Sequence, residues 1–292
     1  MKKRYIYLYL IGWWLFCVAC TGNFRDYNTD LSGITNEDLN IDDNGYGIRL
    51  GIIQQGIYFN YDYGKGKNWP FQLIQNLNAD MFSGYMHDAK PLNGGSNNSD
   101  YNMQDGWNSA MWTHVYSYIF PQIYQSENAT RDTHPALFGI TKILKVEVMH
   151  RVTDYYGPII YRHFANAEKH YQPDTQKEVY YEFFNELDSA VVALIGYIEE
   201  KPESNGFARF DILLDGKYSS WVKFANSLRL RLAMRLASIA PDKARLEIEK
   251  IKENDYGFFE RGSEKVAVST KSGYINPLGE LNLVWNETYM NA

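Results

Sequence analysis

Cysteine is almost absent from this 292-residue sequence. Its two cysteines, Cys17 and Cys20, both lie within the first twenty residues, so residues 21–292 contain no thiol. This excludes disulfide bonds and thiol chemistry from nearly the whole chain. The pair matches C-x-x-C, but its position in an apolar leader argues against a redox or metal site. The stability of the folded part must therefore come from core packing.

Long apolar runs are also lacking, apart from one at the N-terminus. Three basic residues precede the run 5–19, which is shorter than the roughly 20 residues that a transmembrane helix needs. The run ends at the small residue Ala19, and the chain becomes polar at Thr21. This pattern is typical of a secretory signal peptide.

Cys20 directly follows Ala19, as at cleavage sites where a cysteine becomes the lipidated first residue of a lipoprotein. Cys17 departs from this pattern, because an aliphatic residue usually occupies its position. We predict that residues 1–19 are a lipoprotein signal peptide and that Cys20 is the lipid attachment site. An uncleaved anchor and a plain secreted form are the alternatives.

Positive charge is outweighed by negative charge in this chain. There are 29 Lys and Arg residues against 35 Asp and Glu residues, a net charge of −6. Removal of 1–19 would make the charge more negative, because this segment contains three cations and no acids. The balance argues against nucleic-acid binding and against adhesion to anionic lipid. Membrane attachment would then depend on the acyl chains at Cys20.

Signatures of catalysis and of cofactor binding are missing. The sequence has neither a G-x-x-x-x-G-K-[ST] nucleotide loop nor a G-x-S-x-G nucleophile motif. His150 and Asp154 have the spacing of a base and its orienting carboxylate, but this spacing is common in long helices. The set His163, Glu168 and His170 matches no strong zinc pattern. We predict a protein that is not an enzyme and has no cofactor and no metal site.

Helical periodicity dominates the sequence after a polar stretch, 20–44, which we interpret as a flexible tether. An irregular stretch follows Met81 and extends to Gly106. The pattern predicts several helices. The first covers 45–63, the second begins at Pro70, and the third begins at Trp107 and either ends near Pro121 or continues to Asn128. The others run from Pro135 to Gly157, from a cap formed by Thr175 and Glu178, over 217–239 and over 241–254. The stretch 255–292 is predicted to be loop with some short strand.

The inward faces of these helices follow from the same spacing. In the first helix we expect Ile48, Ile52, Gln55 and Phe59 to be buried. The strongest pattern is in 217–239, which we expect to organise the fold, with Ser219 or Ser220 as its N-cap and Pro241 after its end. Its predicted buried residues are Trp221, Phe224, Leu228, Leu232, Leu236 and Ile239.

Three arginines, Arg229, Arg231 and Arg235, lie beside this apolar stripe. Their aliphatic stems can pack on the helix while their guanidinium groups pair with carboxylates. Binding of an anionic ligand is the alternative interpretation.

Three stretches resemble a known family. They are W-x-x-F-A-N-S-L-x-L-R-L-A-x-R from Trp221 to Arg235, V-T-D-Y-Y-G-P-I from Val152 to Ile159, and F-N-E-L-D-S-A from Phe184 to Ala190. Together with the leader, they resemble the SusD/RagB-like family of outer-membrane nutrient-binding lipoproteins. The resemblance implies an all-α fold of tetratricopeptide-like antiparallel helical pairs with long irregular loops. A SusD-like helical domain would occupy 45–292, and because related proteins continue further, we expect the C-terminal part of the family fold to be missing.

The resemblance also implies a function. We expect a surface-exposed, lipid-anchored outer-membrane protein that binds glycan or another nutrient. It would hand oligosaccharide to a TonB-dependent, SusC-like transporter. The alternative is a helical scaffold that binds a protein or peptide partner and has no sugar site.

Aromatic residues are abundant, with 24 Tyr, 15 Phe and 7 Trp. Most belong to predicted apolar stripes, but Trp69, Tyr85 and Tyr101 lie in or beside irregular segments, and Trp285 lies in the C-terminal stretch. Flat rings in loops suit carbohydrate, because a pyranose has an apolar C–H face. We predict these four residues as the ligand-binding set; the alternative is that their rings only attach the loops to the helices.

Overall fold

The computed structural model describes residues 44–58, 69–166, 172–202, 204, 206–260, 264–268 and 276–291. The predicted signal peptide, Cys20 and nearly all of the predicted tether lie outside these residues. Among the described residues, none of the helices has the length and apolarity required to cross a membrane.

Helices make up most of the described chain. They are α1 (Asn44–Ile57), α2 (Trp69–Phe71, continuing as the π-helix Gln72–Asp80), α3 (Asp105–Asn108), α4 (Ala110–His114, continuing as the π-helix Val115–Ile119), α5 (Phe120–Thr130), α6 (Pro135–Tyr156), α7 (Gln176–Glu200), α8 (Tyr218–Leu236), α9 (Pro241–Lys250) and α10 (Pro277–Gly279, continuing as the π-helix Glu280–Val284). Two short strands, β1 (Met86–Asp88) and β2 (Thr288–Met290), pair antiparallel. Short 3₁₀ turns lie at Leu92–Gly95, Asn98–Asp100, Ala208–Phe210 and Ile251–Glu253.

Local sequence signals account for several helix boundaries. α5, α6, α9 and α10 each have a proline in the first turn, where its missing N–H group is not needed. Thr175 and Glu178 form the predicted capping box at the start of α7. Two ends were predicted for the helix that begins at Trp107. The structure agrees better with the later end, because helical structure continues past Pro121 to Thr130. α10 was not predicted.

α6 is the helix around which the others pack. It contacts α5, α7 and α8, and residues on all its sides are buried, including Ile140, Val146 and Val148. Because α6 has apolar residues on every side, neighbouring elements must cover it on every side. We expected α8 to hold this central place, but α8 has one buried stripe and an exposed face.

α7 also contacts α8, and α8 contacts α9. Consecutive helices therefore pack in pairs, and the predicted all-α fold class is confirmed.

The apolar stripe of α8 is buried as predicted at Trp221, Leu228, Leu232 and Leu236. Phe224 is only partly buried, and Ile239 is 78% exposed because α8 ends at Leu236. Neither predicted serine cap is correct: the N-cap residue is Lys217, which forms no side-chain cap bond.

Asp211 is the residue that stabilises the start of α8. Its carboxylate accepts hydrogen bonds from the indole Nε1 of Trp221 at 2.8 Å and from the backbone N–H groups of Leu213, Leu214 and Gly216. A buried carboxylate is tolerated where it accepts several hydrogen bonds.

The predicted inward face of α1 is wrong. Ile48 is 53% exposed, and the fully buried positions are Leu50, Ile53 and Gln54. Gln54 is accommodated because its amide donates to the carbonyl of Phe210 at 3.1 Å and accepts from the N–H of Ile212. The predicted face included Gln55 instead, which is only partly buried. Phe59 lies outside the described residues.

Ion pairs between helices involve the arginines of α8. Arg229 is buried and pairs with Glu247 of α9 and with Asp188 of α7, the latter at 2.5 Å. Arg235 pairs with Asp154 of α6 at 2.9 Å. The interpretation as a packed stem with carboxylate partners is confirmed for Arg229, whereas Arg235 has a carboxylate partner but is half-exposed. The motif residues around them stabilise the helix packing.

A buried charge cluster joins α5, α6 and α7. The ammonium group of Lys145 lies 2.6 Å from Glu186 and 3.4 Å from Glu127. The hydroxyl of Tyr161 also donates to Glu186. Burial alone would lower the pKa of Lys145, but the two carboxylates outweigh burial and raise it. The lysine therefore stays charged inside the helical core.

Candidate functional site

The two-stranded sheet presents one exposed face. Its register pairs Met86 with Met290, His87 with Tyr289 and Asp88 with Thr288. Because side chains alternate along a strand, Tyr85, His87 and Tyr289 point to the same side. Tyr85 is 75% exposed and Tyr289 is 45% exposed, whereas Met86 and Thr288 face inward and are buried. The sheet thus displays two tyrosine rings to solvent.

Tyr101 and Trp285 lie on segments next to this sheet. The Tyr101 ring centroid is 5.9 Å from that of Phe82, and its hydroxyl donates to the Phe82 carbonyl at 3.3 Å. Phe82 is three residues before Tyr85, so Tyr101 lies beside the turn that leads into β1. Trp285 directly follows α10, three residues before β2, and is 37% exposed. We call Tyr85, Tyr101, Trp285 and Tyr289 the aromatic surface.

The predicted set is thus largely brought together. Tyr85, Tyr101 and Trp285 lie on contacting segments, although they are far apart in sequence. Trp69 begins α2, and its side chain lies outside the described residues, so its role stays a prediction. Tyr289 was missed. Its signal was the short β-prone sequence Thr-Tyr-Met, within a stretch for which only some strand was expected.

Buried asparagines fix the long loop between α2 and α3. Asn97 and Asn98 are both fully buried. The Asn98 amide donates to the carbonyl of Leu77 at 2.7 Å and accepts from the N–H of Gln104. Asn97 accepts from the N–H of Ser99 at 2.9 Å. Side-chain bonds to the backbone replace a regular ladder here, so the irregular sequence that carries Tyr85 and Tyr101 has a defined conformation.

Two tyrosines of α6 form hydrogen bonds at the two ends of the same loop. The hydroxyl of Tyr155 donates to the side-chain oxygen of Asn78 at 2.5 Å. The hydroxyl of Tyr156 donates to the carbonyl of Asn108 at 2.5 Å and accepts from the N–H of Trp112. Burial raises the pKa of Tyr156 to about 12, so it stays a hydrogen-bond donor at neutral pH. Both ends of the loop are therefore attached to the central helix.

The C-terminal segment is attached to α2. The amide of Gln72 donates to Glu287 at 2.5 Å, and the hydroxyl of Thr288 contacts the side-chain oxygen of Asn76 at 3.0 Å. Thr288 and Asn76 are both fully buried. These bonds, together with the strand pairing, place Trp285 and Tyr289 beside the loop of Tyr85.

The possible acid–base pair does not form. His150 is buried and its Nδ1 bonds to the carbonyl of Val146, while Asp154 pairs with Tyr180 and Arg235. Burial lowers the pKa of His150 to about 3, so the ring is neutral. His163 is exposed, and the other two members of the possible metal set lie outside the described residues. Within the described chain, no group of His, Cys, Asp and Glu residues is arranged for a metal ion.

Comparison with known proteins identifies the family. A model of the family "SusD-like: Susd and RagB outer membrane lipoprotein" matches residues 26–292. The chain belongs to the SusD-like family. No curated protein matches this SusD-like chain.

Solved structures show the same helical fold. A SusD homologue from Bacteroides vulgatus is 44% identical with a TM-score of 0.80, and the alignment covers 86% of this chain and 50% of that one. A chitin-binding SusD homologue from Flavobacterium johnsoniae is 34% identical with a TM-score of 0.79, covering 85% and 50%. A SusD homologue from Bacteroides uniformis is 26% identical with a TM-score of 0.71, again covering 85% and 50%. This SusD-like chain therefore spans about half the length of these structures.

Proposed function

We propose that this SusD-like chain binds glycan through the aromatic surface. The observation that carries the proposal is the exposure of Tyr85 and Tyr101, at 75% and 72%, on segments that buried hydrogen bonds hold in place. A ring that merely attached a loop to the helices would be covered by them. Exposed rings on an ordered loop are suited to stack on the apolar face of a sugar.

The relative from Flavobacterium johnsoniae supports the ligand class, since it is described as chitin-binding and its structure matches 85% of this chain. A surface of separate rings offers about one sugar face per ring. We therefore expect modest affinity, roughly micromolar to millimolar. Binding and release would be the whole activity, with no chemical step.

The location and the onward partner belong to the same proposal. The domain division is 1–19 as signal peptide, 20–44 as tether and 45–292 as the SusD-like helical domain, with lipid on Cys20. The family description as outer membrane lipoproteins supports an outer-membrane, cell-surface location. The partner would be a TonB-dependent, SusC-like transporter that receives the oligosaccharide. Weak binding is sufficient there, because a tethered protein keeps its ligand at high local concentration.

Affinity electrophoresis against a panel of neutral polysaccharides, with soluble chitin derivatives included, tests the proposal. We expect at least one polysaccharide to retard the wild-type protein, and Tyr85→Ala to remove much of that retardation. Tyr124→Ala is the matched control, because Tyr124 is a partly exposed ring on α5 that packs against Phe164. Equal retardation of both variants, or none of the wild type, would contradict the proposal.

A polypeptide-binding scaffold is the second candidate, and one observation favours it. Leu283, Val284 and Met290 are 86%, 66% and 78% exposed next to the aromatic surface. Exposed aliphatic side chains in one region are typical of a polypeptide interface. If this function is the correct one, Leu283→Asp should abolish co-purification with the transporter. Tyr85→Ala should then still co-purify with the transporter. Neither this variant nor the wild type should bind glycan.

A further inference from the structure

A cleft lies among the helices, and none of the residues that line it belongs to the aromatic surface. It is bounded by the C-terminal end of α6, the first turns of α7 and the C-terminal end of α8, and its volume is about 420 Å³. Small-molecule sites in proteins usually enclose roughly 300–1,000 Å³. The cleft is therefore large enough for one sugar-sized ligand.

Arg235 supplies a fixed guanidinium group with unused donors. Its Nη2 bonds to Asp154 at 2.9 Å and its Nε donates to the hydroxyl of Tyr180 at 3.0 Å. Its Nη1 has no hydrogen-bond partner among the described residues, and the side chain is 49% exposed. Arginine has five N–H donors in a planar arrangement. The contacts with Asp154 and Tyr180 thus orient the group and leave the donors of Nη1 available to a ligand.

Lys177, in the first turn of α7, adds a second positive charge to the lining. Its ammonium group is 5.6 Å from the centroid of the Tyr181 ring, and no carboxylate in the described chain forms an ion pair with it. Asp154 is the one carboxylate that lines the cleft. The lining therefore has a net charge of +1, although the protein as a whole is acidic. This charge favours an anion.

The rest of the lining is suited to a hydroxylated ring. The amide nitrogen of Gln176 donates to the carbonyl of Thr153 at 3.0 Å. No donor in the described part of the chain bonds to its oxygen, which can therefore accept from a ligand hydroxyl. Leu236, Ile239 and the ring of Tyr181 supply apolar surface. Ile239 is 78% exposed, so this apolar wall is open to solvent.

We propose that this cleft binds a hydroxylated ring that carries one carboxylate, the chemistry of a uronic acid. The carboxylate would lie between Arg235 and Lys177, and the apolar face of the ring would contact Tyr181 and Ile239. The inference goes beyond the proposed function, because it uses different residues and requires a charged ligand.

Calorimetric titration of the purified protein with D-glucuronate and with D-glucose tests the site. We expect glucuronate to bind at least several-fold more tightly than glucose. Lys177→Gln should weaken glucuronate binding about threefold to fivefold, the size expected for one exposed ion pair, without changing the melting temperature. Lys252→Gln is the matched control, since Lys252 is an exposed lysine of another turn. Raising sodium chloride from about 20 mM to about 300 mM should weaken glucuronate binding further.

Two further variants separate this site from the aromatic surface. Arg235→Lys keeps the charge but loses the planar donors, so it should also weaken glucuronate binding. Tyr85→Ala should leave glucuronate binding unchanged. The proposal is overturned if glucuronate and glucose bind equally, if neither binds, or if Lys177→Gln and Lys252→Gln behave alike. Binding of an acidic peptide without any binding of glucuronate would likewise overturn it.

Discussion

The hydroxyl of Tyr155 lies 2.5 Å from the side-chain oxygen of Asn78 and donates a hydrogen bond to it. This bond joins the central helix to the π-helical part of α2, directly before the loop that carries Tyr85 and Tyr101. Tyr155 belongs to the family-like sequence Val152–Ile159. That sequence therefore positions the candidate site without forming part of it.

Tyr155→Phe should weaken glycan binding through the loop. The variant removes donation to Asn78 and leaves a fully buried asparagine without this partner, which costs about 1–2 kcal/mol of unfolding free energy. Urea denaturation and affinity electrophoresis measure the two effects. Tyr181→Phe is the control, because the Tyr181 hydroxyl forms no hydrogen bond in the described chain. Identical behaviour of the two variants would show that the Tyr155 bond is unimportant.

Trp221→Ala should impair folding and not binding. Trp221 is fully buried in α8 and donates to Asp211. Truncation of such a core ring costs about 3–5 kcal/mol, which should appear as a large fall in melting temperature. A normal melting temperature combined with lost glycan binding would place Trp221 at a ligand site instead.

Arg229→Met should destabilise the packing of α8 on α7 and α9. Its partner Glu247 is fully buried and would keep its pairs with Lys243 and Lys250, so the loss of the charged bond to Arg229 should cost about 1.5–3 kcal/mol of unfolding free energy. The control is Arg245→Met, which removes an exposed pair with Asp242 and should cost well under about 1 kcal/mol. The two free energies of unfolding can be compared directly. Equal values would contradict the structural role of Arg229.

Burial of His150 should make the protein less stable in mild acid. Its pKa is about 3 in the folded state against 6.5 normally, so the unfolded state binds the proton first as the pH falls. The stabilisation is complete above pH 6.5 and should decrease by about 2 kcal/mol by pH 5. Comparing the pH dependence of unfolding for wild type and His150→Asn isolates this group. The slopes should differ between pH 6.5 and pH 5, and parallel curves would exclude the effect.

Local signals predicted much of the helical scaffold. The prolines, the capping box at Thr175 and the spacing in α6 and α8 each depend on residues within one or two turns. The inward face of α1 could not be predicted in this way, because Gln54 is buried by hydrogen bonds to Phe210 and Ile212, more than 150 residues away.

The candidate site depended even more on distant contacts. β1 and β2 pair across about two hundred residues, and neither strand is long enough to show a clear alternation. Tyr85 and Trp285 were identified from composition and from their place in irregular segments. Tyr289 becomes visible only once the strand register is known. Likewise, the burial of Asn97 and Asn98 reverses the ordinary expectation that an Asn-rich stretch is a solvent-exposed loop.

The central claim is that exposed rings on a fixed loop bind glycan. Its most direct test is calorimetric titration of the Tyr85→Ala/Tyr101→Ala double variant with the polysaccharide that retards the wild type most. We predict a loss of roughly tenfold or more in affinity, because each ring contributes about 1 kcal/mol of stacking. The melting temperature should change by less than about 2 °C, because neither ring is part of the core. Wild-type affinity in a folded double variant would contradict the account.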